Sequence, residues 1–311
     1  RWARWPGRQA PELAFAGPPR ATYRLQLNAG FTFADAEALV PHLAALGISH
    51  IYASSIFRAR PESTHGYDVT DHDLINPELG TEESFDRLST ALKAAGIGLI
   101  LDFVPNHMGI GRADNDWWLD VLEWGIASPY ANYFDIDWRS SRHLMRGKVL
   151  LPFLGDQYGA VLGAGGLELR FDPLFGAFSI WYAEHRFPVR PADYGALLRS
   201  AGHPAAATLA DAFDALPLKT GRRADAARQQ VAALKQSLAN LVDAAPDAID
   251  RIAEAAARIN VDARHQMGQS TLHRLIERQH YRLAYWRVAA DEINYRRFFD
   301  INTLVGLRVE R

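Results

Sequence analysis

The chain has no cysteine among its 311 residues, which excludes disulfides, thiolate nucleophiles and sulfur-ligated zinc. Such a composition suits a reducing compartment, and the cytoplasm is the default expectation. An excess of one charge is also lacking: Lys+Arg 34 against Asp+Glu 36 gives a formal net charge of -2, without the broad basic field of a dedicated nucleic-acid binder. No apolar run approaches the roughly 18 residues needed to span a bilayer, and Arg1, Arg4 and Arg8 precede no signal-like apolar segment. Neither a nucleic acid nor a membrane is expected as a partner. The first residue is Arg rather than Met and the chain stops at Val309-Glu310-Arg311, so the sequence reads as a piece of a longer protein. What is present in quantity is apolar residue, 48% of the chain, enough to bury the core of one large domain or two ordinary ones.

After a Pro- and Arg-containing lead over residues 1–20, Thr22-Tyr-Arg-Leu-Gln-Leu27 alternates Tyr23, Leu25 and Leu27 with Arg24 and Gln26, the period of a strand. Residues 33–46 place Ala36, Leu39, Val40, Leu43 and Leu46 at helical spacing, with Gly47 at the cap and Pro41 expected to kink or shorten the helix. Residues 48–53 read as a second strand, a polar loop is expected up to Gly80, and a helix opens at Thr81 with Phe85, Leu88 and Leu92 on one face. Ile97-Gly-Leu-Ile-Leu-Asp-Phe-Val104 is a nearly unbroken apolar run, as in a parallel strand covered on both faces. Three strands alternating with helices predict an α/β fold with the strands parallel and adjacent.

From Pro105 that rhythm stops. An aromatic stretch with Trp117, Trp118, Trp124, Tyr130, Tyr133, Phe134 and Trp138 replaces a short loop, and beyond Asp193 the composition becomes Ala-rich. There Val231, Leu234, Leu238 and Leu241, then Ile249, Ile252, Ala256 and Ile259, form helical stripes separated by Pro246. The expected organisation is a barrel segment over 21–107, an inserted aromatic-rich subdomain over 108–192, an inserted Ala-rich helical subdomain over 193–290, and a return to the barrel over 291–311.

Polar clusters stand where strands end: Ser63-Thr-His-Gly-Tyr-Asp-Val-Thr-Asp-His-Asp73 after the second strand, and Asp102-Phe-Val-Pro-Asn-His107 at the end of the third. An ionised Asp102 in an apolar strand must be paired or hydrogen-bonded, and Asn106 and His107 emerge at the same mouth. These residues carry a resemblance. Asp102-x-x-x-Asn106-His107 resembles the first signature region of the α-amylase family of (β/α)8 glycoside hydrolases and transglycosidases, and Gly66-Tyr67-Asp68 with Asn76-Pro77-Glu78-Leu79-Gly80-Thr81 is similar to its loop after the second strand. With Ala21-Thr-Tyr-Arg-Leu-Gln-Leu-Asn28 and Tyr295-Arg-Arg-Phe-Phe-Asp-Ile-Asn302, the set resembles the maltooligosyl trehalose synthases, the (1→4)-α-D-glucan 1-α-D-glucosylmutases of that family.

The resemblance implies a (β/α)8 TIM barrel of which strands 1–3 and the approach to strand 4 are present, with a large, mostly helical insertion after strand 3. It implies intramolecular transglucosylation of maltooligosaccharides or linear α-1,4-glucans, no cofactor or metal, and a maltooligosyl trehalose trehalohydrolase as pathway partner. Tyr67 would stack on the sugar, His107 would hydrogen-bond its hydroxyls, and Asp102 would orient His107 and arginines at the strand ends. His65 stands between sugar contact and loop support; Gln26 points either into the barrel mouth or into a buried paired amide; Asp68 and Asn106 support the site. The family's nucleophile, in a Gly-x-Arg-x-Asp-His pattern, and its acid/base have no counterpart here. Gly306-Leu-Arg-Val-Glu310 imitates the first of these, but a similar segment precedes the true motif in the family, so Glu310 is expected to be a decoy and the chain to hold no catalytic carboxylate.

Three rivals stay open at this point. His65, Asp68, Asp71, His72, Asp73 and His107 have the oxygen and imidazole donors of a metal site. Trp117, Trp118 and Trp124 could serve a non-catalytic glucan-binding scaffold, although neighbouring tryptophans on a helix point about 100° apart and at least one belongs in a core. A related hydrolase that releases trehalose is the third, against which the Tyr295-Arg-Arg-Phe-Phe segment argues.

Overall fold

The strand-helix rhythm of the sequence becomes a small parallel sheet with two covering helices. The structure, a computed structural model, describes residues 17–140, 143–217, 224–265 and 269–309; Arg1, Arg4, Arg8 and Glu310 lie outside the described residues. The chain divides after Pro105 into two units. In the first, β1 (Thr22–Leu25), α1 (Phe33–Ala45), β2 (His50–Ala53), β3 (Phe57–Ala59), β4 (Val69–Ile75), α2 (Glu82–Ala94) and β5 (Gly98–Leu101) follow in order. β1, β2 and β5 form a parallel sheet in that order, with Tyr23 opposite Ile51 and Ile51 opposite Leu99. Leu25, Leu43, Ile51, Leu88 and Leu92 bury together beneath the helices.

Three local expectations need correction. α1 is not shortened at Pro41, one of the two outcomes expected there, but runs to Ala45, and Gly47, with a φ of 77°, follows its Leu46 cap. Pro41 is exposed, so water can satisfy the carbonyl that loses its partner, while buried Val40 and Leu43 anchor the helix on either side. The polar loop before Gly80 contains an antiparallel hairpin, β3 on β4. Finally, β5 is not covered on both faces: it is a sheet edge among the described residues, and Leu101 and Phe103 are 39% and 48% exposed. The segment Asn76–Thr81 owes its pattern to packing. Leu79 is buried and its carbonyl accepts from the Phe33 N–H at 3.0 Å. A Cβ on Gly80 would lie 2.4 Å from Ser84 Oγ and 3.2 Å from the Phe33 ring, at a φ of 133°. Thr81 then caps α2 by accepting from the Ser84 N–H.

The second unit contains β6 (His107–Gly109), α3 (Asp116–Trp124), β7 (Val149–Leu154), α4 (Tyr158–Gly163), β8 (Glu168–Asp172), β9 (Ala177–Tyr182), β10 (His185–Pro188), α5 (Tyr194–Arg199), α6 (Pro204–Asp214), α7 (Ala224–Ala239), α8 (Leu241–Ala244), α9 (Pro246–His265), α10 (Thr271–Glu277), β11 (Tyr281–Tyr285), α11 (Ala289–Glu292), β12 (Arg297–Phe298) and β13 (Ile301–Gly306). β8, β9 and β10 form an antiparallel sheet, β7 and β11 a parallel pair, and β12, β13 and β6 a second antiparallel sheet. The stripes on α7 and α9 enter one large core through Val231, Leu238, Ile252 and Ile259. Trp118, 1% exposed, meets Phe134 and Tyr295 edge-on at 5.1 and 5.6 Å in the same core.

Candidate functional site

In the first unit the polar side chains gather where the strands end. Asp102 follows β5 directly, and its N–H donates to the Ala53 carbonyl at 2.9 Å, which sets it level with the end of β2. The hairpin of β3 and β4 returns through residues 60–68 and brings Tyr67 to the same place. The Tyr67 hydroxyl donates to Asp102 Oδ2 at 2.6 Å and accepts from Arg24 Nη2 at 2.7 Å. Arg24 Nη1 lies 3.9 Å from the same carboxylate oxygen, and the guanidinium sits 5.1 Å over the Tyr52 ring. Burial, then the hydrogen bond to Asp102, raises the Tyr67 phenol above its ordinary range against the opposing pull of Arg24. Tyr67 is therefore a fixed hydroxyl donor at neutral pH, its ring held by a charged pair rather than left to rotate.

The other predicted residues of this unit surround that link. Gln26 donates from Nε2 to the His65 carbonyl at 3.0 Å and accepts from Arg24 Nη2 at 3.2 Å, so its amide is paired at both ends. His65 is exposed; its Nδ1 accepts the Tyr67 N–H at 3.0 Å, and its ring lies nearly parallel to that of Tyr67, 14° apart at 6.1 Å. Asp68 accepts from Ser63 Oγ at 2.5 Å, and that hydroxyl accepts from the Gly66 N–H. His72 turns its Nε2 to the Val104 carbonyl at 2.8 Å and packs beside Phe57 and Phe103. Among the described residues no group of three or more His, Asp or Glu is placed to hold a metal ion.

Asn106 and His107 belong to the second unit. His107 is buried on β6 with its ring stacked on Phe298 at 3.9 Å and 12°. Its Nδ1 lies 3.1 Å from Asn106 Oδ1. The Asn106 carbonyl accepts from the Leu307 N–H at 2.9 Å, tying this corner to the end of β13. Two contributors were absent from the list of candidates. Arg24 stands two residues before Gln26 on the same strand face, and that spacing was the available signal. Phe298 lies within the Tyr295-Arg-Arg-Phe-Phe motif, but nothing in the motif says which aromatic covers His107.

Residues 38–160 match the family model described as the alpha-amylase catalytic domain. The chain is 48% identical over 166 residues to a putative maltooligosyl trehalose synthase of Mycobacterium tuberculosis, covering 51% of this chain and 21% of that protein. The solved structure of maltooligosyltrehalose synthase from Arthrobacter ramosus matches with a TM-score of 0.60 at 31% identity, covering 94% of this chain and 27% of that one. A glycosyltrehalose synthase structure matches with a TM-score of 0.62 at 32% identity, covering 94% and 30%. The chain resembles the maltooligosyl trehalose synthases. It carries an alpha-amylase catalytic-domain region and spans about a fifth of the length of the curated synthases it matches. Likeness to these synthases extends through the second unit, whereas the alpha-amylase SusG of Bacteroides thetaiotaomicron matches over 110 residues, 35% of this chain, at 36% identity.

Proposed function

We propose that this chain is the N-terminal part of an intramolecular transglucosylase that converts the reducing-end α-1,4 linkage of a maltooligosaccharide into the α,α-1,1 linkage of a terminal trehalosyl unit. The observation that carries this reading is the fold likeness to trehalose-forming synthases over 94% of the chain. On this reading β1, β2 and β5 are the first three strands of a (β/α)8 barrel, and Tyr67, Asp102 and Arg24 stand at the strand ends where such barrels place their chemistry.

The chemistry is a double displacement. A carboxylate attacks the anomeric carbon while a carboxylic acid protonates the departing oxygen; the released glucose turns in the site and returns through its own anomeric hydroxyl. Both carboxyl groups are assigned to the part of the longer protein beyond Arg311. The present residues bind and orient. Tyr67 offers a flat ring to the C–H face of a glucosyl unit, with its hydroxyl locked between Arg24 and Asp102. His107, beside Asn106 and backed by Phe298, is the residue to which the family resemblance assigns hydrogen bonds with sugar hydroxyls. Gln26, Asp68 and Asn106 hold the surrounding backbone, and His65 flanks Tyr67. The substrate is a maltooligosaccharide or linear α-1,4-glucan, the setting is cytoplasmic, and the product is one that a trehalose-releasing hydrolase consumes.

Incubating the longer protein with maltopentaose tests this. Reducing ends should disappear while the mass of the oligosaccharide stays the same. A rise in reducing ends, with shorter products, would instead establish a hydrolase.

A further inference from the structure

The tryptophans that the sequence offers as a glucan platform are not the ones that the fold presents. Trp118 is core, Trp117 lies flat against Tyr130 at 5.3 Å and 7°, and Trp124 sits under the Arg228 guanidinium at 5.0 Å. Trp286, by contrast, is 51% exposed. It leaves β11 directly, and β11 runs parallel to β7 with Tyr285 opposite Leu154. Both strands therefore release their chains at the same end of the pair: Gly155, Asp156 and Gln157 from β7, and Trp286 and Arg287 from β11. All five of these residues are exposed. The C-terminal ends of parallel strands are where loops collect ligand-binding groups.

The aromatic part of this cluster is fixed in shape. The Tyr285 and Trp286 rings meet edge to face at 5.9 Å and 69°. The Arg287 guanidinium lies over both, 5.7 Å from one centroid and 5.3 Å from the other. Among the described residues no carboxylate pairs with Arg287, so its N–H groups remain available to a ligand beyond the rings. Asp156 and Gln157 add an exposed carboxylate and an exposed amide. One cation, one anion, a neutral amide and an indole face do not suit a polyanion; they suit a molecule with an apolar C–H face and a rim of hydroxyls, which is a pyranose.

We propose that the strand-end cluster of Tyr285, Trp286, Arg287, Asp156 and Gln157 is a second saccharide-contact site. Trp286 stacks on a glucosyl unit, and Arg287, Asp156 and Gln157 hydrogen-bond its hydroxyls. That the saccharide is an α-1,4-glucan rests on the function proposed above; the platform itself does not.

Affinity electrophoresis of the longer protein through gels containing soluble starch reads this site. Tyr67→Ala leaves part of the retardation, Trp286→Ala weakens apparent affinity roughly tenfold, about what loss of one good ring contact produces, and the double variant runs as in a starch-free gel. Trp286→Phe keeps a ring and retains most of the retardation, so it and Asp156→Asn, with an expected partial loss, carry the test if the alanine variant misfolds. Unchanged retardation of Trp286→Ala overturns the proposal. So does loss of retardation only in step with a fall in thermal midpoint, which would make Trp286 a packing residue. A wild-type protein that forms no trehalosyl ends but loses its starch retardation on Trp286→Ala would refute the function proposed above and uphold this site.

Discussion

The two units are built on opposite terms. The first has a modest core under a three-stranded parallel sheet, and it leaves apolar strand residues such as Tyr23, Leu101 and Phe103 substantially exposed. The second closes around Trp118, Phe134, Tyr194 and Tyr281 and buries a carboxylate, Asp193, among several donors. Buried Asp193 accepts from Arg190 Nε and Arg278 Nε at 2.8 Å and from Gln279 Nε2 at 2.9 Å. Burial pushes its carboxyl upward, but the two guanidiniums outweigh this and hold it below the ordinary carboxylate range. The contrast follows from what each unit contains: on the reading proposed above the first holds three of eight barrel strands, whose exposed residues the remaining strands and helices cover, whereas the second closes a core from its own residues.

That contrast breaks most visibly at Trp118. Trp118→Ala should cost the second unit about 3–5 kcal/mol, the usual range for emptying a buried tryptophan site, and chemical denaturation should show it; a loss under about 1 kcal/mol would mean the core is not closed as described. Asp193→Asn comes next, with an expected loss of about 2–3 kcal/mol from two charge-assisted bonds, discounted for the partial exposure of both arginines.

A pH dependence sharpens the comparison further. Burial, followed by the positive charges of Arg190 and Lys148, pushes the His280 imidazole down to about 4. Histidine in an unfolded chain titrates near about 6.5, so between those values the unfolded state takes up a proton that the folded state refuses. The second unit should hold its full stability above roughly pH 6.5 and lose it as the pH falls toward the folded value. Urea midpoints across that window measure the loss, and His280→Gln should flatten the slope. The smallest effect belongs to the first unit: Thr81→Ala removes the cap of α2 and should cost about 1 kcal/mol, leaving the Tyr67–Asp102 link in place.

The same contrast governs what could be read from sequence. In the first unit the elements follow regular periods, and both helices and all three parallel strands were legible; α1 survives Pro41 because its solvent side tolerates the lost bond. The β3–β4 hairpin was not, because Thr70-Asp-His-Asp73 is polar on both faces and gives no alternation. In the second unit the stripes on α7 and α9 were legible, but β7 and β11 pair across more than a hundred residues, and Pro152 inside Val149–Leu154 argues against a strand. The candidate site shows the same limit. Motifs named Tyr67, Asp102 and His107, while the pairing of Arg24 with Tyr67, 43 residues apart, and the cover of Phe298 over His107 exist only once the chain is folded.

The central claim is that these residues bind and orient a glucan while the reacting carboxyl groups lie outside them. It is tested most directly by giving maltopentaose to the 311-residue chain alone, after circular dichroism has established its helix and strand content. The account predicts no loss of reducing ends. Robust loss of reducing ends at constant oligosaccharide mass would contradict it and place the nucleophile within these 311 residues, with Glu310, set aside above as a decoy, the first to substitute.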